Sequence, residues 1–151
     1  MELTKGKIQL QSNTLKGEPF DIQSLRGKVV LIEFWGTRCA PCIADQPVLK
    51  RIYREYGERG FEIVGICLHA EPERIRRFVD EHELPWVQLC HDKSTSIECN
   101  KPLTDRFGVE AVPTTLLIDK DGRVIAQGVR PLHSIQGQDL ECFLKSRLGS
   151  Q

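Results

Sequence analysis

The chain has 151 residues and carries 21 lysines and arginines against 21 aspartates and glutamates, so it is formally neutral near pH 7. That length supports one domain able to bury roughly two-thirds of its unfolded surface without staples, and balanced charge with no basic run or basic–aromatic stripe excludes nucleic acid as the expected partner. No apolar run reaches the length of a membrane span and Met1–Lys7 lacks the apolar centre of a signal peptide, so the sequence as it stands is expected to be soluble, with no membrane segment and no export signal.

In chain order, Lys5 to Phe20 alternates weakly through Ile8, Leu10 and Leu15 and is broken at Gly17-Glu18-Pro19, the pattern of a strand or hairpin entering a domain. Residues 1–16 are expected to form an N-terminal extension and 17–151 the main unit of one globular domain. Asp21 to Gly27 reads as a short helical turn. Lys28–Trp35 is almost uninterrupted apolar sequence, as a central parallel strand buried on both faces requires. Cys39 to about Tyr56 carries a helical stripe (Val48, Leu49, Ile52, Tyr53, Tyr56) with Pro47 as a kink. Gly57 and Gly60 end that helix. Phe61–Leu68 is the next strand, and Pro72 opens a helix with Ile75, Phe78 and Val79 on one side and Arg74, Arg76 and Arg77 on what is expected to be a solvated face. A shorter strand is predicted at Trp86–Cys90, a long polar loop from His91 to Pro102, and a helical piece over Leu103–Phe107 closed by Gly108. Val109–Asp119 reads as a strand introduced by a proline, turning at Lys120-Asp121-Gly122 into Arg123–Val129. Leu140, Phe143, Leu144 and Leu148 mark a final helix. Strands alternating with helices and closing on a hairpin plus helix indicate an α/β sandwich.

Chemistry concentrates where the central strand meets the first long helix, at Trp35-Gly36-Thr37-Arg38-Cys39-Ala40-Pro41-Cys42. Two cysteines two residues apart can close a disulfide within one helical turn, and Pro41 fits that turn because its missing N–H costs little there. Unpaired N–H groups and the helix dipole favour an anion at Cys39, so its thiol should ionise readily, and the cation of Arg38 should favour the thiolate further. Zinc would need two more ligands, and no second CxxC or CxxH is present. Of the six cysteines only these two have motif spacing. Cys67 reads as a small apolar packer in a buried strand, Cys90 and Cys99 as free thiols rather than a second disulfide, and Cys142 as partly exposed. His69, His82, His91 and His133, one per segment, read as solvated or satisfied histidines.

With this dithiol, Gly27-Lys28-Val29-Val30-Leu31-Ile32-Glu33-Phe34-Trp35-Gly36-Thr37 before it, Asp45 and Pro47 after it, and Val112-Pro113-Thr114-Thr115 continuing to Ile118-Asp119-Lys120-Asp121-Gly122, the chain resembles the thioredoxin-fold, TlpA/ResA-like thiol-disulfide oxidoreductases over roughly Gly17 to Leu148. The resemblance implies a thioredoxin-like three-layer sandwich around a mixed sheet. It makes Cys39 the attacking thiol and Cys42 the resolving one, in a cycle that needs no metal or organic cofactor. Pro113 matches the family's cis-proline, with Val112 as a backbone ledge for an extended substrate, and Trp35, Arg38 and Pro41 are expected to join the substrate-facing surface. Glu33 takes the place of the buried acid beneath the dithiol, where its pKa should be raised and it could relay a proton to Cys42. Asp45 stands where the family commonly carries a longer glutamate, and is either an active-site acid or a helix-surface residue. Arg38 replaces a common tryptophan.

The implied partners are protein or peptide disulfides and an upstream electron donor, acting on a monomer. The implied location is extracytoplasmic, periplasmic or membrane-tethered in a longer parent protein, with a cytoplasmic location left open by the missing leader. Two alternatives carry less of the pattern. A thiol peroxidase would need Thr or Ser three residues before its reactive cysteine, where Gly36 stands, and a non-catalytic peptide-binding module would have no use for an intact dithiol.

Overall fold

The computed structural model describes residues 6–94, 96–131 and 139–149. Its hub is β3 (Val29–Trp35), all seven residues of which are buried. The sheet is built outward from it. β4 (Phe61–Cys67) pairs parallel to one side, with Val29 opposite Phe61 and Trp35 opposite Cys67, and β5 (Val87–Leu89) continues parallel beyond β4. On the other side β6 (Thr114–Ile118) pairs antiparallel, with Glu33 opposite Thr115, and β7 (Val124–Gln127) closes the edge. The order is β5-β4-β3-β6-β7, a mixed five-stranded sheet. The N-terminal hairpin, β1 (Gln11–Asn13) with β2 (Pro19–Asp21), forms a separate two-stranded ribbon, followed by a 3-10 turn at Ile22–Leu25 capped by Asp21.

Alternation along β3 sends its side chains to two cores. Val29, Leu31 and Trp35 pack against Leu49, Ile52 and Tyr56 of α1 (Ala40–Tyr56), Ile75 and Phe78 of α2 (Pro72–His82), and Leu140 and Leu144 of α4 (Leu140–Leu148). Val30, Ile32 and Phe34 meet Leu103 and Phe107 of α3 (Lys101–Phe107), together with Ile8, Leu10 and Ile22 from the N-terminal segment. Each fully buried side chain of this size contributes roughly 1.5–3 kcal/mol. The three layers match the expected sandwich; the hairpin's second strand, Pro19–Asp21, lies beyond residue 16, so the hairpin spans both the expected extension and the start of the main unit, and the Lys5 end of that stretch and His133 lie outside the described residues.

Several strands are a residue or two shorter at their ends than the sequence reading, and two boundaries differ for a reason visible in the structure. The strand expected over Val109–Asp119 starts only at Thr114, because Val109 N–H is engaged outside the ladder by Thr104 O of α3 at 2.9 Å; the Val112–Pro113 bond is cis. α3 begins at Lys101, two residues earlier than expected, with Pro102 in its first turn where a missing N–H is harmless.

Candidate active site

The sharp exit from β3 is short. Cys39 N–H bonds back to Gly36 O at 3.2 Å, and Ala40 starts α1 with Cys39 as its N-cap. Cys39 Sγ accepts from the Cys42 backbone N–H at 3.2 Å, so the sulfur already occupies the place where orphan helix donors converge. Cys39 and Cys42 are joined as a disulfide with Cα atoms 5.2 Å apart. Cys39 is 9% exposed and Cys42 1%. Cys39 lines a depression of about 290 Å3, together with Gly36, Thr37, Arg38, Leu68, His69, Arg74 and Val112, and Cys42 is not among its lining residues.

Val112 reaches this depression from the opposite side, in front of the cis Val112–Pro113 bond. Among the described residues its N–H and C=O make no backbone hydrogen bond. Pro41 and Arg38 are exposed at the rim.

Glu33, on β3, is buried. Its pKa is raised to about 8: burial is the largest cause, the charge of Asp45 also raises it, and the cation of Arg130 lowers it. Asp45, one helical turn after Cys42, therefore turns toward the interior rather than lying on an outer helix surface. Its carboxylate accepts a hydrogen bond from Arg130 Nε, and this pairing raises the pKa of Arg130. Arg130 is the residue sequence reasoning missed. It follows β7, with the C=O of Val129 before it taken by Thr115 Oγ1 at 2.8 Å and its own C=O taken by Leu140 N–H at 3.1 Å. No local motif marks it; only sheet closure brings it to α1.

Trp35 corrects an expectation. Its indole is fully buried, packed on Phe78 at 5.1 Å between ring centroids and donating from Nε1 to Gln88 Oε1 at 2.9 Å. It supports the loop from below and offers no surface to a substrate. Arg74 is the second correction. Arg76 and Arg77 are exposed as expected, but Arg74 is half-buried and donates from Nε to Thr37 Oγ1 at 3.1 Å, beside the dithiol.

The remaining cysteines match the sequence reading. Cys67, Cys90 and Cys99 are buried free thiols and Cys142 is exposed. Burial pushes the Cys67 thiol up to about 12 even though the Thr37 backbone N–H reaches its sulfur, so it stays inert beside a reactive pair. Of the histidines, His69 is exposed and paired with Glu98 at 2.8 Å, His82 bonds Phe78 O, and His91 bonds Ser12 Oγ. Among the described residues no group of three or more His, Cys, Asp or Glu side chains could hold a metal ion.

A strand that ends in a dithiol at a helix start, on a sheet of this order, is the arrangement of thioredoxin-like proteins. The thioredoxin domain of a thiol-disulfide oxidoreductase from Bacteroides vulgatus superposes with a TM-score of 0.78, covering 98% of this chain and 99% of that one at 22% identity, a likeness of fold. The Redoxin family profile matches residues 4–141, and the chain belongs to that family. Its curated relatives place it more narrowly, among the ResA-like thiol-disulfide oxidoreductases. Thiol-disulfide oxidoreductase ResA of Bacillus thuringiensis is 30% identical over 127 residues, covering 84% of this chain and 69% of that protein. ResA of Halalkalibacterium halodurans is 33% identical over 111 residues, covering 74% of this chain and 59% of that protein.

Proposed function

We propose that this chain reduces disulfides of protein partners, with Cys39 as nucleophile and Cys42 as the resolving thiol. The observation that carries the reading is the asymmetry of the pair: Cys39 lines the depression that Val112 borders, while Cys42 is buried. In the reduced protein the Cys39 thiolate, favoured by the α1 N-terminus, attacks one sulfur of the partner's disulfide. That S–S bond breaks, the leaving sulfur takes a proton, and a Cys39–partner mixed disulfide forms. Cys42 then loses its proton and attacks Cys39 Sγ. The second partner sulfur departs as a thiol once protonated, and two electrons have passed from the dithiol to the partner. The product is the Cys39–Cys42 disulfide, which an upstream dithiol donor must reduce again.

Glu33 suits the middle step. With a pKa of about 8 it exchanges protons near neutral pH in either direction, accepting one from Cys42 or returning it. The unpaired peptide of Val112 suits an extended partner strand, which would add its backbone to that edge. Arg38 and Pro41 flank the approach. The acting unit is taken to be a monomer, and its location extracytoplasmic, as the resemblance to ResA-like proteins implies; among the described residues no helix is long and apolar enough to cross a membrane.

The test is insulin reduction with the protein recycled by a small dithiol. Cys39→Ser should reduce turnover by at least about a thousandfold, since removal of a covalent nucleophile leaves only binding, and Cys42→Ser should accumulate mixed disulfides visible by mass. Equal activity of the wild type and Cys39→Ser would overturn the assignment.

A further inference from the structure

The depression beside Cys39 has a chemistry of its own. Its three ionisable side chains other than the cysteine are Arg38, His69 and Arg74, and no carboxylate lines it. Glu98 is paired with His69 at 2.8 Å, and both Glu98 and Glu110 line a neighbouring depression that shares Leu68 and His69. In a chain with equal numbers of acidic and basic residues, this is a local excess of positive charge at the reactive sulfur.

The guanidinium of Arg74 is also held in place. Thr37 Oγ1 takes its Nε–H at 3.1 Å, and among the described residues its Nη groups make no hydrogen bond or ion pair, whereas Arg51, Arg76 and Arg130 are each paired with a carboxylate. Arg38 makes neither kind of contact among the described residues. A guanidinium fixed through one nitrogen still presents the opposite edge, a fork of N–H donors matched to a carboxylate. Because Arg74 is half-buried, that edge is less screened than a free surface cation would be.

We propose that Arg74, with Arg38, selects protein partners that carry an acidic residue close to their reactive cysteine. The partner's strand lies along Val112, its disulfide sulfur meets Cys39, and the neighbouring carboxylate is taken by the Arg74 fork inside the depression. This rests on the oxidoreductase reading above and adds the substrate class. The charge does two jobs at one place, since cations that hold the partner's carboxylate also stabilise the thiolate of Cys39.

The experiment compares three disulfide-bonded peptides identical except for two residues flanking the cysteine, which are Glu, Gln or Lys, with the neutral hydroxyethyl disulfide as a fourth substrate. The expected kcat/KM for the Glu peptide is about tenfold above the Gln peptide at low salt, and the Lys peptide falls below both. The ratio should approach one near 1 M salt, where the screening length is about 3 Å. Arg74→Gln should lower the Glu:Gln ratio by about fivefold, whereas Arg77→Gln, on the exposed side of the same helix, should leave it unchanged. A ratio of one in the wild type at low salt, or one that Arg74→Gln does not move, overturns the specificity proposal while reduction of hydroxyethyl disulfide keeps the oxidoreductase reading. Failure to reduce any of the four substrates overturns both.

Discussion

Glu33, Asp45 and Arg130 form a linked set in which one buried carboxyl is tuned by two opposed charges. Desolvation does most of the work on Glu33, and the neighbours then trim it in opposite directions. The consequence is a signed prediction. Asp45→Asn removes a negative charge that favours the protonated form, so the Glu33 pKa should fall; Arg130→Gln removes a cation that favours the ionised form, so it should rise. Carboxyl carbon NMR of Glu33 across pH 5–10 reads both shifts, and the alkaline limb of the disulfide-reduction rate should move with them. Shifts of the same sign in the two variants would contradict the arrangement. Cys67 shows the opposite use of burial: with its thiol held protonated, it can sit under Thr37 without competing with Cys39.

At the level of elements, the row that crosses the sheet at Glu33 runs Gln88, Gly65, Glu33, Thr115. Gly65 is the position where a missing side chain matters. A Cβ there would collide with the Gln88 side-chain amide, which crosses β4 to receive the Trp35 indole N–H. A glycine inside a strand marks such a close approach. Gly65→Ala should therefore cost about 1–3 kcal/mol, chiefly by leaving the buried Trp35 donor without its partner. Chemical denaturation checks this, and a cost within a few tenths of a kcal/mol would show that Gln88 has room to move. Gly122 has a related role at the β6–β7 turn: its φ of +90° and the Arg26 guanidinium packed against it exclude a side chain, while its C=O receives Ile8 N–H at 2.8 Å. That turn thus fixes the N-terminal segment as well as the hairpin.

For the molecule as a whole, a buried acid with a raised pKa makes stability depend on pH with a defined sign. The folded protein holds the Glu33 proton up to about pH 8, whereas an unhindered carboxyl releases it near 4.5. Between those values the folded state binds more protons than the unfolded one, so the Glu33 contribution to stability is undiminished below about pH 4.5, falls as pH rises, and levels off above about pH 8. Complete ionisation costs on the order of 4–5 kcal/mol. Comparing melting curves of the wild type and Glu33→Gln isolates this group from the other carboxylates. The two should have similar stability at pH 5, and the variant should be the more stable at pH 9 by a few kcal/mol. Parallel profiles would mean that Glu33 is not desolvated. If Glu33 relays protons as proposed, the same substitution should slow turnover near neutral pH, so that the group serving the reaction lowers the stability of the fold that holds it.

The sequence by itself determined the features that depend on neighbours along the chain. The apolar run of β3, the helix stripe of α1 and the CxxC spacing are local patterns, each with a period or an offset that states its structure directly, whereas the reading of Pro113 comes from the family resemblance. They also sufficed to place Glu33 inside, because a single acid in a strand buried on both faces has nowhere else to go. Only the tertiary structure decided which distant groups act on that site. Arg130 reaches Asp45 because β6 and β7 pair antiparallel beside β3, and Arg74 reaches Thr37 because α2 returns over the same end of the sheet; Trp35 leaves the substrate surface because Phe78 and Gln88 claim its ring. These contacts join residues 37 to 85 positions apart. No period in the chain encodes them, since they follow from sheet order and packing rather than from any run of residues.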